Sequence, residues 1–288
     1  FGQRPFAYTP PSGYKSLCTQ NLPMPTIFAG NKYMDISLWT GDSSYPRSIM
    51  NGGGFQPDFV WIKARSIGYS NILYDSVRGS GTTTSLYSDT TSAEGTYSAN
   101  TNLTAFNSNG FTVGTTSSIN VLNANGQTFV GWQWKANGAA VTNTAGSITS
   151  QVSANTTAGF SVVTYTGVGG STTKTVGHGL ASGLSMVIVK ARAAGSNDMN
   201  WGLSCASIAA PNYLMLNSTG AADNYGPGQG QPSVGSGSTF SILAGTTGTN
   251  NFNTSGIAYV AYCFAAIAGY SAFGSYTGNG SADGPFVY

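Results

Sequence analysis

Charge is scarce in this chain of 288 residues, because Asp, Glu, Lys and Arg together make up 7 % of it, against about 25 % in ordinary globular proteins. Eleven basic residues stand against nine acidic ones, which leaves a formal net charge of +2. The Lys and Arg side chains form no stripe of the kind that neutralises a phosphate backbone. We therefore predict that nucleic acid is not a partner.

Residues that carry catalysis are also rare. The only histidine, His178, lies between two glycines in Val176–Leu180, and we interpret it as a turn residue rather than a general base, because no catalytic signature surrounds it. Glycoside hydrolysis needs two facing carboxylates, and we interpret the two candidates, Asp58 and Asp75, as structural. The sequence predicts that the protein is not an enzyme, with no catalytic residues.

Metal ligands are equally sparse. One histidine and three distant cysteines do not supply the closely spaced ligands of a zinc site. The acidic residues are isolated, so a calcium site would have to use backbone carbonyls of a loop, an alternative that stays open. We predict no metal site and no cofactor.

The three cysteines, Cys18, Cys205 and Cys263, are too few and too scattered for a disulfide framework. Cys263 lies in an apolar strand pattern, which predicts a buried free thiol. Pairing of Cys205 with Cys263 stays open, but a reducing compartment during folding fits the composition better.

Long apolar runs are absent too, since none approaches the roughly 20 residues that span a bilayer. We predict no membrane insertion. The chain begins with Phe1 and shows no signal peptide, and we expect it to be a segment of a longer protein.

What the chain does contain is internal repetition. A strand-like stretch ending in an aromatic residue, Thr and Gly occurs three times, at Trp39–Gly41, Tyr165–Gly167 and Tyr276–Gly278. Two further blocks match between the first two copies, in the same order: Pro57–Arg65 with Leu184–Arg192, and Phe129–Trp134 with Tyr259–Phe264. Matches at the start, middle and end indicate a duplicated domain.

Forty glycines, 12 % aromatic residues and short β-branched or aromatic runs separated by Gly and Asn turns are typical of antiparallel sandwiches. The predicted fold class is all-β, with two tandem antiparallel β-sandwich modules of jelly-roll or concanavalin A-like type and an extended N-terminal linker. The predicted divisions are a terminal strand of a preceding domain plus a Pro-rich linker at 1–28, module 1 at 29–138, a linker at 139–157, module 2 at 158–269, and the start of an incomplete third repeat at 270–288.

The last segment carries a prediction of its own. A lone two-stranded ribbon is marginal in water. We therefore expect the chain either to continue past Tyr288 into a third sandwich, or to dock this tail on module 2 or on a neighbouring chain. The contacts of Phe273, Tyr276, Phe286 and Tyr288 distinguish these arrangements from a fully exposed tail.

Five tryptophans are the candidates for binding, because flat aromatic faces beside Asn, Ser and Thr suit sugar recognition. Trp132 and Trp134 share one face of a strand and correspond to Tyr262 and Phe264, so we predict that they belong to the sandwich core. Trp39 and Trp201 lie near predicted loops, and we predict them as the carbohydrate-binding residues.

These blocks resemble known phage proteins. Phe1–Tyr14 looks like the closing strand and exit linker of SPRY-like, concanavalin A-like sandwich domains in phage structural proteins. The other blocks are similar to an uncharacterised sandwich repeat that occurs in tandem in tail-fibre-like proteins of marine and cyanobacterial phages. The blocks that carry this resemblance are Tyr165–Gly167, Val176–Leu180, Met186–Arg192, Tyr259–Phe264 and Gly269–Gly280.

The resemblance implies a segment of a phage virion appendage, a tail or head fibre, that is structural and attaches to the host through multivalent, lectin-like sandwiches. Its implied partners are other virion proteins, further copies of itself and a host-surface glycan, and its implied location is the surface of a particle assembled in the bacterial cytoplasm. One alternative is a purely structural decoration or spacer protein, and a glycan-degrading enzyme is the least favoured. The resemblance specifies no ligand.

Overall fold

The structure of the protein is a computed structural model that describes residue 12 and residues 25–81, 83–95, 103–114, 122–195, 199–208, 212–222, 231–243 and 252–287. No α-helix occurs in these residues, and their one short 3-10 helix is Gly30–Lys32. All strand pairs within the sheets are antiparallel. The predicted all-β, sandwich-like fold is confirmed.

Module 1 is built from a large sheet and a small sheet. Its strands are β1 (Met34–Thr40), β2 (Arg47–Met50), β3 (Phe59–Ala64), β4 (Ile72–Asp75), β5 (Leu86–Tyr87), β6 (Leu103–Asn107), β7 (Gly110–Val113) and β8 (Thr128–Trp134). The large sheet has the order β1-β8-β3-β4-β5 and the small sheet β2-β7-β6.

Module 2 follows with ten strands in the described part of the chain. They are β9 (Val141–Asn143), β10 (Ser150–Asn155), β11 (Phe160–Thr166), β12 (Lys174–Gly177), β13 (Met186–Ala191), β14 (Trp201–Cys205), β15 (Leu214–Met215), β16 (Pro232–Ser233), β17 (Thr239–Ile242) and β18 (Ala258–Phe264). Its large sheet has the order β15-β14-β13-β18-β11-β10-β9 and its small sheet β12-β17-β16.

The two modules have the same topology. Strands β11-β18-β13-β14-β15 repeat the order of β1-β8-β3-β4-β5, and β12-β17-β16 repeats β2-β7-β6. Register agrees as well, because Trp134 pairs with Met34 and Phe59 just as Phe264 pairs with Phe160 and Met186. The predicted correspondence of Trp132 and Trp134 with Tyr262 and Phe264 is confirmed, but the two tryptophans are only partly buried and lie on the outer face of the large sheet, not in the core of the sandwich.

The segment 139–157 differs from its prediction as a linker with at most one edge strand. It contains β9 and β10, which extend the large sheet of module 2 beyond β11. Val152 and Ser153 of β10 are buried. These Ser-, Thr- and Ala-rich residues lack the aromatic signal of the other strands, but pairing with β11 satisfies their backbone and orders them.

The repeated Thr-Gly ending has a packing reason. A Cβ on Gly41 would lie 2.0 Å from the carbonyl oxygen of Ala124, and one on Gly167 would lie 2.2 Å from that of Thr254. This glycine lets the end of β1, or of its counterpart β11, approach the loop that leads into the last strand of the module. Only glycine fits such a close backbone approach.

Three apolar layers hold the protein together. One lies inside module 1 and includes Val60 and Phe111, and a second lies inside module 2 and includes Val189 and Phe240. The third lies between the modules, where the outer faces of the two large sheets pack on each other. The order of layers is therefore small sheet, large sheet, large sheet, small sheet, and the sandwiches are fused rather than strung on a linker.

Aromatic rings form much of the layer between the modules. Phe59 of module 1 stacks on Tyr262 of module 2 with ring centroids 4.1 Å apart. Trp201 also stacks on Tyr262, with ring centroids 6.5 Å apart. Such rings bury large apolar areas and favour one relative placement.

A buried polar network fixes the same layer. Arg78 is fully buried, and its guanidinium donates to Asp75, to Glu94 at 2.6 Å and to the Tyr262 hydroxyl at 3.2 Å. The Tyr262 hydroxyl in turn donates to Asp75 at 2.8 Å. Arg192 of module 2 completes the network through Glu94 at 2.7 Å. Because the partners come from both modules, the network specifies how they pair.

Candidate functional site: an aromatic cavity between the modules

Neither predicted sugar-binding tryptophan presents a face to solvent. Trp39 is 7 % exposed, stacks on Phe129 and donates its indole N–H to the Leu122 carbonyl oxygen at 3.1 Å. Trp201 is fully buried between the modules and donates to the Tyr87 carbonyl oxygen at 2.8 Å. The prediction of these two residues as carbohydrate-binding is corrected, because both rings and both N–H groups are already used inside the protein.

His178 lies in the loop that follows β12, next to Gly179, whose φ is +71°. Its Nδ1 accepts from the Leu180 N–H at 3.2 Å, and its Nε2 faces the Gly237 carbonyl oxygen at 2.9 Å, so we assign the proton to Nε2. Burial lowers the pKa of the imidazole, and the hydrogen bond to Gly237 opposes that shift. Both nitrogens therefore bond to backbone and hold the loop in place.

The two carboxylates considered for hydrolysis also have structural partners. Asp58 accepts from the Ala136 N–H at 2.8 Å and from the Ser76 hydroxyl at 2.8 Å. Asp75 belongs to the buried Arg78 network. Each is buried and fully engaged, so they do not face each other across a groove.

Metal ligands do not gather in the described residues, where no group of three or more His, Cys, Asp or Glu side chains comes together. Cys205 and Cys263 are both buried free thiols, and burial raises the pKa of Cys263. Cys18 lies outside the described residues. A helix with the length and apolar character needed to cross a bilayer is not found in the described part of the chain.

The concave feature that stands out is a cavity of about 420 Å³ at one end of the layer between the modules. Module 1 contributes Phe59, Trp61 and Trp134 to its wall. Module 2 contributes Phe160, Met186 and Phe264. Its volume lies within the range of small-molecule sites, which also occur preferentially at domain interfaces.

The rings of this wall stand at several angles. Phe59 and Trp134 are 5.1 Å apart at 31°, whereas Trp134 and Phe264 are 6.4 Å apart at 77°. Phe160 and Phe264 are 5.1 Å apart at 45°. The cavity is therefore not a flat slot between parallel faces.

Two tyrosines line the cavity, one where the chain enters module 1 and one where it leaves module 2. Tyr33 precedes β1, Tyr270 follows β18, and their rings meet edge to face at 6.3 Å. Burial, together with the neighbouring Tyr33, raises the pKa of Tyr270. Its hydroxyl stays protonated at neutral pH and can donate or accept a hydrogen bond.

The tail after β18 begins at this cavity. Phe273 lines it and packs on Phe264 of module 2 at 6.0 Å, so docking on module 2 is confirmed for this residue. Tyr276 and Phe286 are 70 % and 85 % exposed, and Tyr288 lies outside the described residues. Continuation into a third sandwich stays a prediction, as does the assignment of Phe1–Tyr8, which is also outside them.

The fold and the cavity together define the protein as a fused pair of duplicated β-sandwiches with an aromatic recess between them. Residues 29–288 match the family described as a domain of unknown function, DUF7483, and the chain belongs to that family. The match runs through both modules as one unit. No curated protein and no solved structure matches the chain.

Proposed function

We propose that the protein is a segment of a phage virion appendage, a tail or head fibre, that adds rigid length and contributes to attachment at the host surface. The observation that carries the proposal is the shared apolar layer, in which two copies of one sandwich are fused back to back. This arrangement builds a stiff structural unit, and the buried Arg78 network adds polar contacts between its two halves. The resemblance of the repeated blocks to tail-fibre-like phage repeats points the same way.

The non-enzymatic part of the proposal rests on where the candidate side chains lie. His178, Asp58 and Asp75 are buried, and each bonds to nearby backbone or belongs to the inter-module network. A general acid or base must reach its substrate within hydrogen-bond distance, and none of these three does. Purified protein is expected to release no sugar from envelope polysaccharides.

Attachment would use many weak contacts in a multivalent array, because repeated modules raise the effective concentration of each site. With few charges in the chain, such contacts depend little on salt. The aromatic cavity replaces Trp39 and Trp201 as the proposed recognition site.

A second candidate is a purely structural spacer or decoration protein. The buried Arg78 network favours it, because the network devotes scarce charges to fixing one module on the other. In that case the cavity would be only an unfilled end of the packing, and the protein would have partners within the particle alone.

Two measurements on the encoding phage test the proposal. Antibodies raised against the purified protein should label a fibre or the particle surface in immunogold electron micrographs, and their absence from purified virions would overturn the appendage assignment. Purified protein added in excess should then slow adsorption of the phage to its host. Labelled virions without competition would leave the spacer as the better function.

A further inference from the structure

We propose that the cavity between the modules binds the alkyl chain of a neutral ligand that ends in a hydroxyl or carbonyl group. This deepens the adhesive part of the proposed function and rests on it for its biological role. The binding itself is a property of the purified protein and can be measured without a virion. Four features of the cavity support the inference.

The first feature is the chemistry of the wall. It carries aromatic rings, two methionines and Ile188, and no charged side chain. A sugar placed there would leave most of its hydroxyls without partners, at about 1–3 kcal/mol for each buried unsatisfied group. A hydrocarbon would instead gain about 25 cal/mol for each Å² removed from water.

The second feature is shape. The rings of Trp134, Phe160 and Phe264 are inclined to one another by 35° to 77°. A rigid planar ring system cannot bend to follow walls that change direction, whereas a flexible chain can. The geometry therefore favours an alkyl chain over a flat aromatic ligand.

The third feature is adaptability. Met34 of module 1 and Met186 of module 2 both line the cavity and are partly buried. Methionine is unbranched and polarizable, so it adjusts to ligands of different outline. The two modules thus each supply one adjustable residue.

The fourth feature is the placement of polar atoms. The Trp61 indole N–H donates to Asn71 at 3.0 Å, whereas the Ser271 hydroxyl accepts from the Ile267 N–H at 3.1 Å and keeps its own O–H as a donor. The phenol of Tyr270 lies beside Tyr33 at the edge of the cavity. One hydroxyl or carbonyl oxygen at the end of a chain matches this supply, and a polyhydroxylated ligand does not.

A binding experiment with the whole chain tests the proposal. 1-Dodecanol is titrated by calorimetry, and 11-bromoundecanol by quenching of tryptophan fluorescence, since bromine quenches rings that it contacts. Saturable binding of both is expected, with quenching reduced in Trp61→Phe and Trp134→Phe. Absence of saturable binding to the folded wild-type protein overturns the proposal, as does quenching that neither substitution changes.

Cavity-filling variants locate the site. Met186→Trp and Met34→Trp should weaken dodecanol binding at least tenfold, while Met50→Trp, on an exposed position of the small sheet, should leave it unchanged. Equal weakening by Met50→Trp would contradict the site. Tyr270→Phe should weaken dodecanol about three- to tenfold by removing one hydrogen bond and should leave dodecane unaffected.

Two further arms identify the source of the chain and test the sugar alternative. Vesicles of neutral phosphatidylcholine that compete with dodecanol would identify bilayer lipid as the source, whereas binding of dodecanol without such competition would identify a free amphiphile. Competition by glucose, galactose or N-acetylglucosamine at millimolar concentration would overturn the alkyl assignment. None of these outcomes alters the immunogold result, so failure here and failure of the virion proposal are distinguishable.

Discussion

Arg78 carries its charge where water does not reach it. Burial alone would lower its pKa, but Asp75, the Tyr262 hydroxyl and Glu94 outweigh burial and raise the pKa of the guanidinium above its ordinary value. These partners thus offset the cost of burying the charge. In a chain with so few charged residues, four of them meet at this point.

Arg78→Met should therefore lower the free energy of unfolding by about 3–5 kcal/mol, because Asp75 is left buried without its cation. Tyr262→Phe should cost about 1–3 kcal/mol through the hydrogen bonds that it loses. Urea unfolding followed by tryptophan fluorescence measures both. Lys174→Met is the control, since the Lys174 ammonium bonds to Thr172 at an exposed site, and it should stay within about 0.5 kcal/mol of the wild type.

His178 predicts a pH dependence of stability. Its pKa is lowered in the folded protein, so the unfolded chain binds more protons once the pH falls below about 6.5. The contribution of His178 to stability should be constant above that pH and should fall below it, by at most about 1.4 kcal/mol per pH unit for one proton. Module 1 has the amide Asn51 at the corresponding position, so His178→Asn should flatten the profile between pH 5 and 7. An unchanged slope in this variant would contradict the assignment.

At the scale of the element, the Thr-Gly endings of β1 and β11 are the best test of the duplication. Gly41→Ala and Gly167→Ala should each destabilise their module by about 2 kcal/mol or more, because the new Cβ collides with backbone. Gly278→Ala is the matched control in the third copy of the motif, where nothing lies within 4 Å, and it should be neutral. Melting temperatures of the three variants decide the matter.

The edge strands show why some elements were harder to predict. β11 is covered by β10, whereas its counterpart β1 has β8 as its one ladder partner among the described residues. Asp35 accepts from the Ile36 N–H at 2.9 Å and Arg47 donates to the Thr40 carbonyl oxygen at 2.7 Å. Such side chains protect an edge from further pairing. The duplication predicted the strands that the two modules share. It could not predict that β11 has β10 beside it and β1 has no such neighbour among the described residues, because this difference depends on what each edge strand contacts.

At the scale of the whole molecule, the shared layer should make the protein unfold as one unit. Phe59→Ala, which removes the ring stacked on Tyr262, should cost about 3–5 kcal/mol and uncouple the modules. Differential scanning calorimetry should show one transition for the wild type and two for the variant. Two transitions in the wild type would mean that the layer does not couple the modules.

The sequence predicted the architecture of each module but not the way the modules join. Repeated blocks of apolar alternation determined the strand correspondence, including Trp134 with Phe264. The way the modules join was indicated only weakly, by the strand Met186–Ala191. In the structure this strand is buried along nearly its whole length, because it is covered on both faces. Trp201 was misassigned because its counterpart in module 1, Asn71, is polar, so the duplication gave no sign of a core position. The cavity depends on residues from six strands and the loops beside them, and their meeting follows only from the packed sheets.

The back-to-back large sheets also decide how this molecule responds to force. In a protein whose domains are joined by flexible linkers, a sideways load bends the linkers first, at almost no energetic cost. Here tilting one sandwich against the other would separate Phe59 from Tyr262 and open the Arg78 network to water. A load therefore acts as shear across a broad aromatic layer, and the two modules move as one rigid body. An appendage assembled from such pairs would bend between pairs and stay straight within them.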